Sequence, residues 1–76
     1  MNAERIEIGD TVRVNINAAR YTLCEEAVVL YLPVDAGDSW IFREVRRSWI
    51  NNDIIGYNIH YVSEGCSVML ISKKEA

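Results

Sequence analysis

Three side chains in this sequence are thiols or imidazoles, the groups that most often bind zinc: one histidine, His60, and two cysteines, Cys24 and Cys66. Five residues separate His60 from Cys66 and no C-x-x-C pair occurs, whereas structural zinc sites take ligands from closely spaced pairs. A lone histidine with scattered serines and aspartates does not form an ordered catalytic triad. The four glycines are isolated and build no phosphate-binding loop. The sequence therefore predicts no metal, no cofactor and no enzymatic activity.

Aromatic side chains near carboxylates suggest a second chemistry, which is non-covalent recognition. A flat π face with a polar edge can cage a cation, stack a base or hold a proline-rich peptide. The predicted binding residues are Tyr21, Asp35, Asp38, Trp40 and Tyr61. The alternative is that Trp40 and Tyr61 fill the core, because a small domain needs large side chains to pack it.

A second candidate is the basic cluster formed by Arg43, Arg46 and Arg47 beside Trp49. Arginine next to an aromatic ring can grip a phosphate and stack a base. Glu44 lies within the cluster, however, and exposed charges bind weakly. We therefore favour a solvated face that pairs with acidic residues over a nucleic-acid site.

Alternating strands are expected to position these residues. Thr11–Ile16 follows a Gly-Asp turn and alternates apolar with polar residues, so one face is predicted to be buried. Residues 17–22 show no periodic pattern of apolar residues and are predicted to form a long first loop. A second strand is predicted over residues 26–32, ended by Pro33, and residues 35–38 form the next turn.

Residues 39–50 allow two interpretations. A strand over residues 39–45 suits the β-branched and aromatic composition. A short helix capped by Asp38 or Ser39 would instead align Ile41, Val45 and Trp49 on one face. We favour the strand because the surrounding pattern is β.

Two more strands are predicted, over residues 57–62 and 67–72, followed by a solvated tail at residues 73–76. The alternation in four segments predicts one shared core. Its predicted members are Val12, Val14, Val29, Ile59 and Leu70.

The chain has 76 residues, 50% of them apolar, and is predicted to be one domain, residues 1–76. A core of this size supplies little stability, so we expect a homo-oligomer. The net charge of −3 argues against nucleic-acid binding. The longest apolar run, residues 27–34, is too short to cross a bilayer and no signal sequence is evident. We expect a cytoplasmic protein that does not bind membranes, with both cysteines reduced.

The Gly9-Asp10-x-Val12-x-Val14 motif, the long first loop and the order of strands resemble SH3-like small barrels over about residues 8–71. This implies an all-β, five-stranded SH3-like small barrel. Segments such as Gly37–Ile41 and Ile59–Val62 are also similar to short proteins of phages and mobile elements. In length and opening strand the chain resembles the plasmid-borne type II dihydrofolate reductases, although their pore-lining segment corresponds poorly to residues 59–62.

The sequence as a whole predicts a non-enzymatic binding module that recognises another macromolecule, most simply a protein. The contact would be made by the five predicted binding residues, which we call the aromatic loop face. Two alternatives remain open. One is a phage or mobile-element accessory protein that inhibits a host protein. The other is an oligomeric barrel with a small-molecule or nucleotide-binding pore.

Overall fold

A computed structural model describes residues 5–18, 20–35, 37–63 and 65–75. Within these ranges the chain forms five strands and no helix, so the all-β prediction is confirmed. The strands are β1 (Thr11–Ile16), β2 (Tyr21–Tyr31), β3 (Trp40–Arg47), β4 (Ile54–Val62) and β5 (Ser67–Ser72). The helix considered for residues 39–50 is not formed, because β3 occupies most of that segment. Across the described ranges no helix is long and apolar enough to cross a membrane.

The strands form one antiparallel sheet in the order β4-β3-β2-β1-β5. β2 holds the sheet together, because its first part pairs with β1 and residues Ala27–Tyr31 pair with β3. Register shifts interrupt both ladders, and such irregularities bend a strand. β4 and β5 are the two edges, and no ladder joins them among the described residues.

The core lies on the inner face of this bent sheet. Leu70 packs against the core from β5 and is partly buried. The fully buried apolar side chains are Val12, Val14, Cys24, Ala27, Val29 and Phe42. Four of the five predicted core residues therefore lie in or against the core.

Ile59 is the fifth predicted core residue, and that prediction is wrong because Ile59 is 49% exposed. The register explains the error. Phe42 faces the core and pairs with His60, so His60 lies on the inner face of β4. Ile59 pairs with Arg43 and lies on the outer face.

The predicted long first loop is also wrong. β2 begins at Tyr21, which pairs with Ile16, so β1 and β2 are joined by a tight turn. Asn17 and Ala18 have φ values of 56° and 57°, a left-handed conformation that reverses the chain within a few residues.

Asp10 joins the two ends of the described chain. Its carboxylate is fully buried and accepts hydrogen bonds from the Glu7 and Lys74 backbone N–H groups and from Lys73 Nζ, each at 2.8 Å. Lys73 Nζ also donates to the Arg5 carbonyl oxygen at 2.7 Å. Residues 73 and 74 are therefore fastened to the fold, whereas the sequence predicted a solvated tail.

Gly9 permits this arrangement. Its φ of +97° is one that residues with a β-carbon rarely adopt. A β-carbon at this position would also lie 3.2 Å from Cδ of Lys74. Gly9 thus lets the chain turn close to the Lys74 side chain and places the Asp10 carboxylate in its buried position.

Candidate functional site

The predicted aromatic loop face is divided between two ends of the sheet. Tyr21 starts β2, and Tyr61 pairs with Ile41, which in turn pairs with Tyr31 at the end of β2. Tyr21 and Tyr31 are separated by about 30 Å of strand path. Tyr21 and Tyr61 are 62% and 73% exposed, so both rings are accessible, and the register places them toward opposite ends of β2.

Trp40 points inward rather than to solvent. Its ring stacks on Phe42 with centroids 5.3 Å apart and an interplanar angle of 12°, and it packs against the core. This contact matches the alternative in which Trp40 fills the core. Tyr61, in contrast, is too exposed to serve as a core residue.

Asp38 closes the turn between β2 and β3. Its Oδ2 accepts hydrogen bonds from the Val34 and Asp35 N–H groups at 3.3 and 3.2 Å, and from the Tyr31 hydroxyl at 3.3 Å. The charge of Asp38 raises the pKa of Tyr31. Asp35 lies beside it on the exposed turn. Asp38 therefore has a structural role that already occupies its carboxylate.

The basic cluster is held by contacts within the fold. Arg43 lies over the Tyr57 ring, with Cζ 5.0 Å from the ring centroid. Arg47 makes a two-point contact with Glu26, with Nε and a terminal nitrogen 2.7 and 3.1 Å from the two carboxylate oxygens. This pair lowers the pKa of Glu26 and raises that of Arg47. Arg46 is exposed. The pairing with an acidic residue that the sequence favoured is thus present for Arg47.

Trp49 lies in the turn between β3 and β4 and is 94% exposed. The turn is closed by hydrogen bonds from Ser48 N to Asp53 O and from Asn52 N to Ser48 O, both at 2.8 Å. Trp49 therefore lies exposed on a well-formed turn.

An open depression of about 940 Å³ lies beside the Glu26–Arg47 pair. Its charged lining consists of Glu25, Glu26, Glu44, Arg46 and Arg47. Because both signs of charge are present and Glu26 is already paired with Arg47, the lining does not select for anions or cations.

Exposed apolar side chains concentrate on β4, which the sequence analysis had placed partly in the core. Tyr57, Ile59 and Tyr61 are 54%, 49% and 73% exposed on its outer face. The strand is nine residues long and contains no Asp, Glu, Lys, Arg or Pro. Natural edge strands are usually protected by such residues, so β4 is an unprotected edge.

An inner cluster, composed of Cys24, Glu44 and His60, lies on β2, β3 and β4. One ligand atom from each residue lies within 4.8 Å of the other two, and His60 Nε2 is 2.9 Å from Glu44 Oε1. Burial, with a smaller contribution from the charge of Glu44, raises the pKa of the Cys24 thiol to about 11. Cys66, which the sequence analysis considered beside His60, is not a member of this cluster.

The spacing of these residues along the sequence did not reveal the inner cluster, because the register of three strands creates it. The alternation of β4 did place His60 and Val62 on one face. Choosing that face as the inner one would have brought His60 toward the core. No protein-family model, curated protein or solved structure matches this chain.

Proposed function

We propose that this protein is a non-enzymatic binding module that recognises a protein strand along the edge of β4, and that the strand it binds is β4 of a second copy. The observation that carries the proposal is an uncharged, nine-residue edge strand with five large apolar side chains that are 46% to 73% exposed. Such an edge offers unpaired backbone N–H and C=O groups and an apolar face together.

The second copy fits β4 because the strand is complementary to itself. Antiparallel pairing about a two-fold axis at Asn58 places Tyr57 opposite Ile59 of the second copy, and the reverse, on the outer face. Aromatic pairs with β-branched residues stabilise antiparallel sheets by about 0.2–1 kcal/mol each. Since β4 carries no Asp, Glu, Lys or Arg, the pairing brings no like charges together.

The small core supports the same conclusion. A chain of this length buries only about 60% of its surface on folding. Only six apolar side chains are fully buried in the described residues. In contrast, β4 exposes five large apolar side chains, Ile54, Ile55, Tyr57, Ile59 and Tyr61. Pairing two copies through β4 would remove part of that surface from water.

β5, the opposite edge, is a poorer pairing surface. It has six residues against nine in β4, and Lys73 and Lys74 follow it directly. Lysines beside an edge oppose pairing with another chain. The two edges therefore differ enough to be distinguished by mutation.

We also propose that the sheet has the architecture of an SH3-like barrel. Support comes from β2, which is shared between β1 and β3, and from its register shifts. Val14 and Phe42, from opposite parts of the sheet, belong to one core. Support for a non-enzymatic role comes from Cys24, whose buried thiol has a raised pKa, because the nucleophile is the thiolate.

Sedimentation equilibrium tests the proposal. We expect the wild-type mass to approach twice 8.7 kDa at micromolar concentration. Ile59→Lys places a charge next to the two-fold axis and should give a monomer. Met69→Lys is the matched control, because Met69 is 56% exposed on β5, and it should leave the dimer intact.

A wild-type mass near 8.7 kDa at every concentration would overturn the proposal. Dissociation of the dimer by Met69→Lys and not by Ile59→Lys would do the same, since it would place the interface on β5. Far-ultraviolet circular dichroism checks that both variants are folded.

A further inference from the structure

The inner cluster brings a thiol, a carboxylate and an imidazole together at the edge of the apolar core. Cys24 is fully buried, while the side chains of Glu44 and His60 are 22% and 26% exposed. The register explains their approach: Glu44 and His60 share the inward side with Phe42, and Cys24 pairs with the buried Val14. Each residue is thus held by a different strand of one sheet.

We propose that Cys24, Glu44 and His60 form a binding site for a single divalent zinc ion. Sulfur, imidazole nitrogen and carboxylate oxygen are the three donor types that zinc takes in proteins, at about 2.3, 2.0–2.1 and 2.0–2.2 Å. In a tetrahedral site these bond lengths separate neighbouring donor atoms by about 3.3–3.6 Å. In the structure the three donor atoms all lie within 4.8 Å of one another, and His60 Nε2 and Glu44 Oε1 are 2.9 Å apart. These two distances bracket the range that zinc requires.

Small side-chain rotations can therefore reach the zinc geometry without a change in the strands. His60 would bind zinc through Nε2 as the neutral tautomer that carries its proton on Nδ1, in place of its hydrogen bond with Glu44 Oε1. The sulfur–zinc bond would form as the thiol proton leaves to solvent. A water molecule would complete the tetrahedron from the side on which Glu44 and His60 are partly exposed.

The donor set also selects among metals. A thiolate with an imidazole favours zinc over magnesium and calcium, which take oxygen ligands. The site would connect β2, β3 and β4 by one ion. Because zinc would bind the folded chain, we expect it to raise the melting temperature.

Cobalt substitution tests the site. The apoprotein, kept reduced with a phosphine, is titrated with Co²⁺ and followed by absorption spectroscopy. We expect a thiolate-to-cobalt charge-transfer band and intense visible bands that saturate at one equivalent and disappear when Zn²⁺ is added. Cys24→Ala should abolish the charge-transfer band, whereas Cys66→Ala, the matched control at the other cysteine, should retain it.

Glu44→Gln keeps the shape of its side chain but removes the anionic ligand, so it tests the site if Cys24→Ala fails to fold. We expect this variant to weaken cobalt binding and to lose the thermal stabilisation by Zn²⁺ that wild type and Cys66→Ala show. Absence of the charge-transfer band in folded wild-type protein would overturn the proposal. So would a band that persists in folded Cys24→Ala or is lost in Cys66→Ala, or unchanged cobalt affinity in folded Glu44→Gln.

Discussion

Asp10 is the one fully buried charged side chain among the described residues, and its role is structural. Its hydrogen bond from Lys73, together with those from the Lys74 and Glu7 N–H groups, lowers the pKa of the carboxyl from 3.8 to about 2. A second hydrogen bond from Lys73 lowers the pKa of Glu7, and the hydrogen bond to Asp10 raises the pKa of Lys73. The Gly-Asp pair therefore fixes the start of the sheet to its end.

This network predicts a dependence of stability on pH. A carboxyl with a lowered pKa in the folded state stabilises the protein above its ordinary value of 3.8, and the stabilisation is lost as the pH falls through about 2. Asp10→Asn should lower the melting temperature by several degrees at neutral pH and flatten its decline in acid. Thermal melts between about pH 2 and pH 7 measure this.

The exposed Asp35 gives a control of the same chemistry. Asp35→Asn should preserve the wild-type pH profile. An Asp10→Asn variant with the wild-type profile would show that the buried carboxylate does not stabilise the fold.

The core makes a second prediction at the scale of single residues. Val14 is fully buried and Val34 is 77% exposed. Val14→Ala should lower the free energy of unfolding by about 2 kcal/mol, because it removes buried methyl groups and leaves a cavity, whereas Val34→Ala should change it by less than about 0.5 kcal/mol. Urea denaturation of the two variants measures the difference. Equal effects would contradict the assignment of Val14 to the core.

At the scale of elements, alternation predicted β1 well because this strand has one clearly apolar face. In β4 the more apolar face, which carries Tyr57, Ile59 and Tyr61, is the exposed one, so the pattern indicated the wrong face. Pairing with β3 decides which face is buried, and the inward position of Phe42 turns His60 to the inside and Ile59 to the outside. The inner cluster follows from the same long-range register, as His60 and Glu44 are sixteen residues apart.

The turn between β3 and β4 allows a prediction about stability at this scale. Asn52 has a φ of 66°, in the left-handed region that glycine adopts freely and alanine does not. Asn52→Ala should lower the free energy of unfolding by about 1–2 kcal/mol, and Asn52→Gly should be tolerated. Chemical denaturation compares the variants. Equal loss in both would show that the conformation of Asn52 does not limit the turn.

At the scale of the whole molecule, the net charge argues against nucleic acid as a partner. The net charge is −3, Arg47 is paired with Glu26, and Arg43 lies on Tyr57. We therefore predict no affinity for duplex DNA at physiological salt, because phosphate binding needs clustered cations. Fluorescence anisotropy with a labelled duplex tests this prediction. Sub-micromolar binding that weakens steeply with added salt would contradict it.

The central claim concerns how two whole molecules meet, namely through antiparallel pairing of β4 with β4. The most direct test is an isotope-filtered nuclear Overhauser experiment on a sample that mixes labelled and unlabelled chains. The account predicts contacts between the Tyr57 ring of one copy and the Ile59 methyl groups of the other. Intermolecular contacts that map to Met69 and Ile71 of β5, or no intermolecular contacts in a concentrated sample, would contradict it.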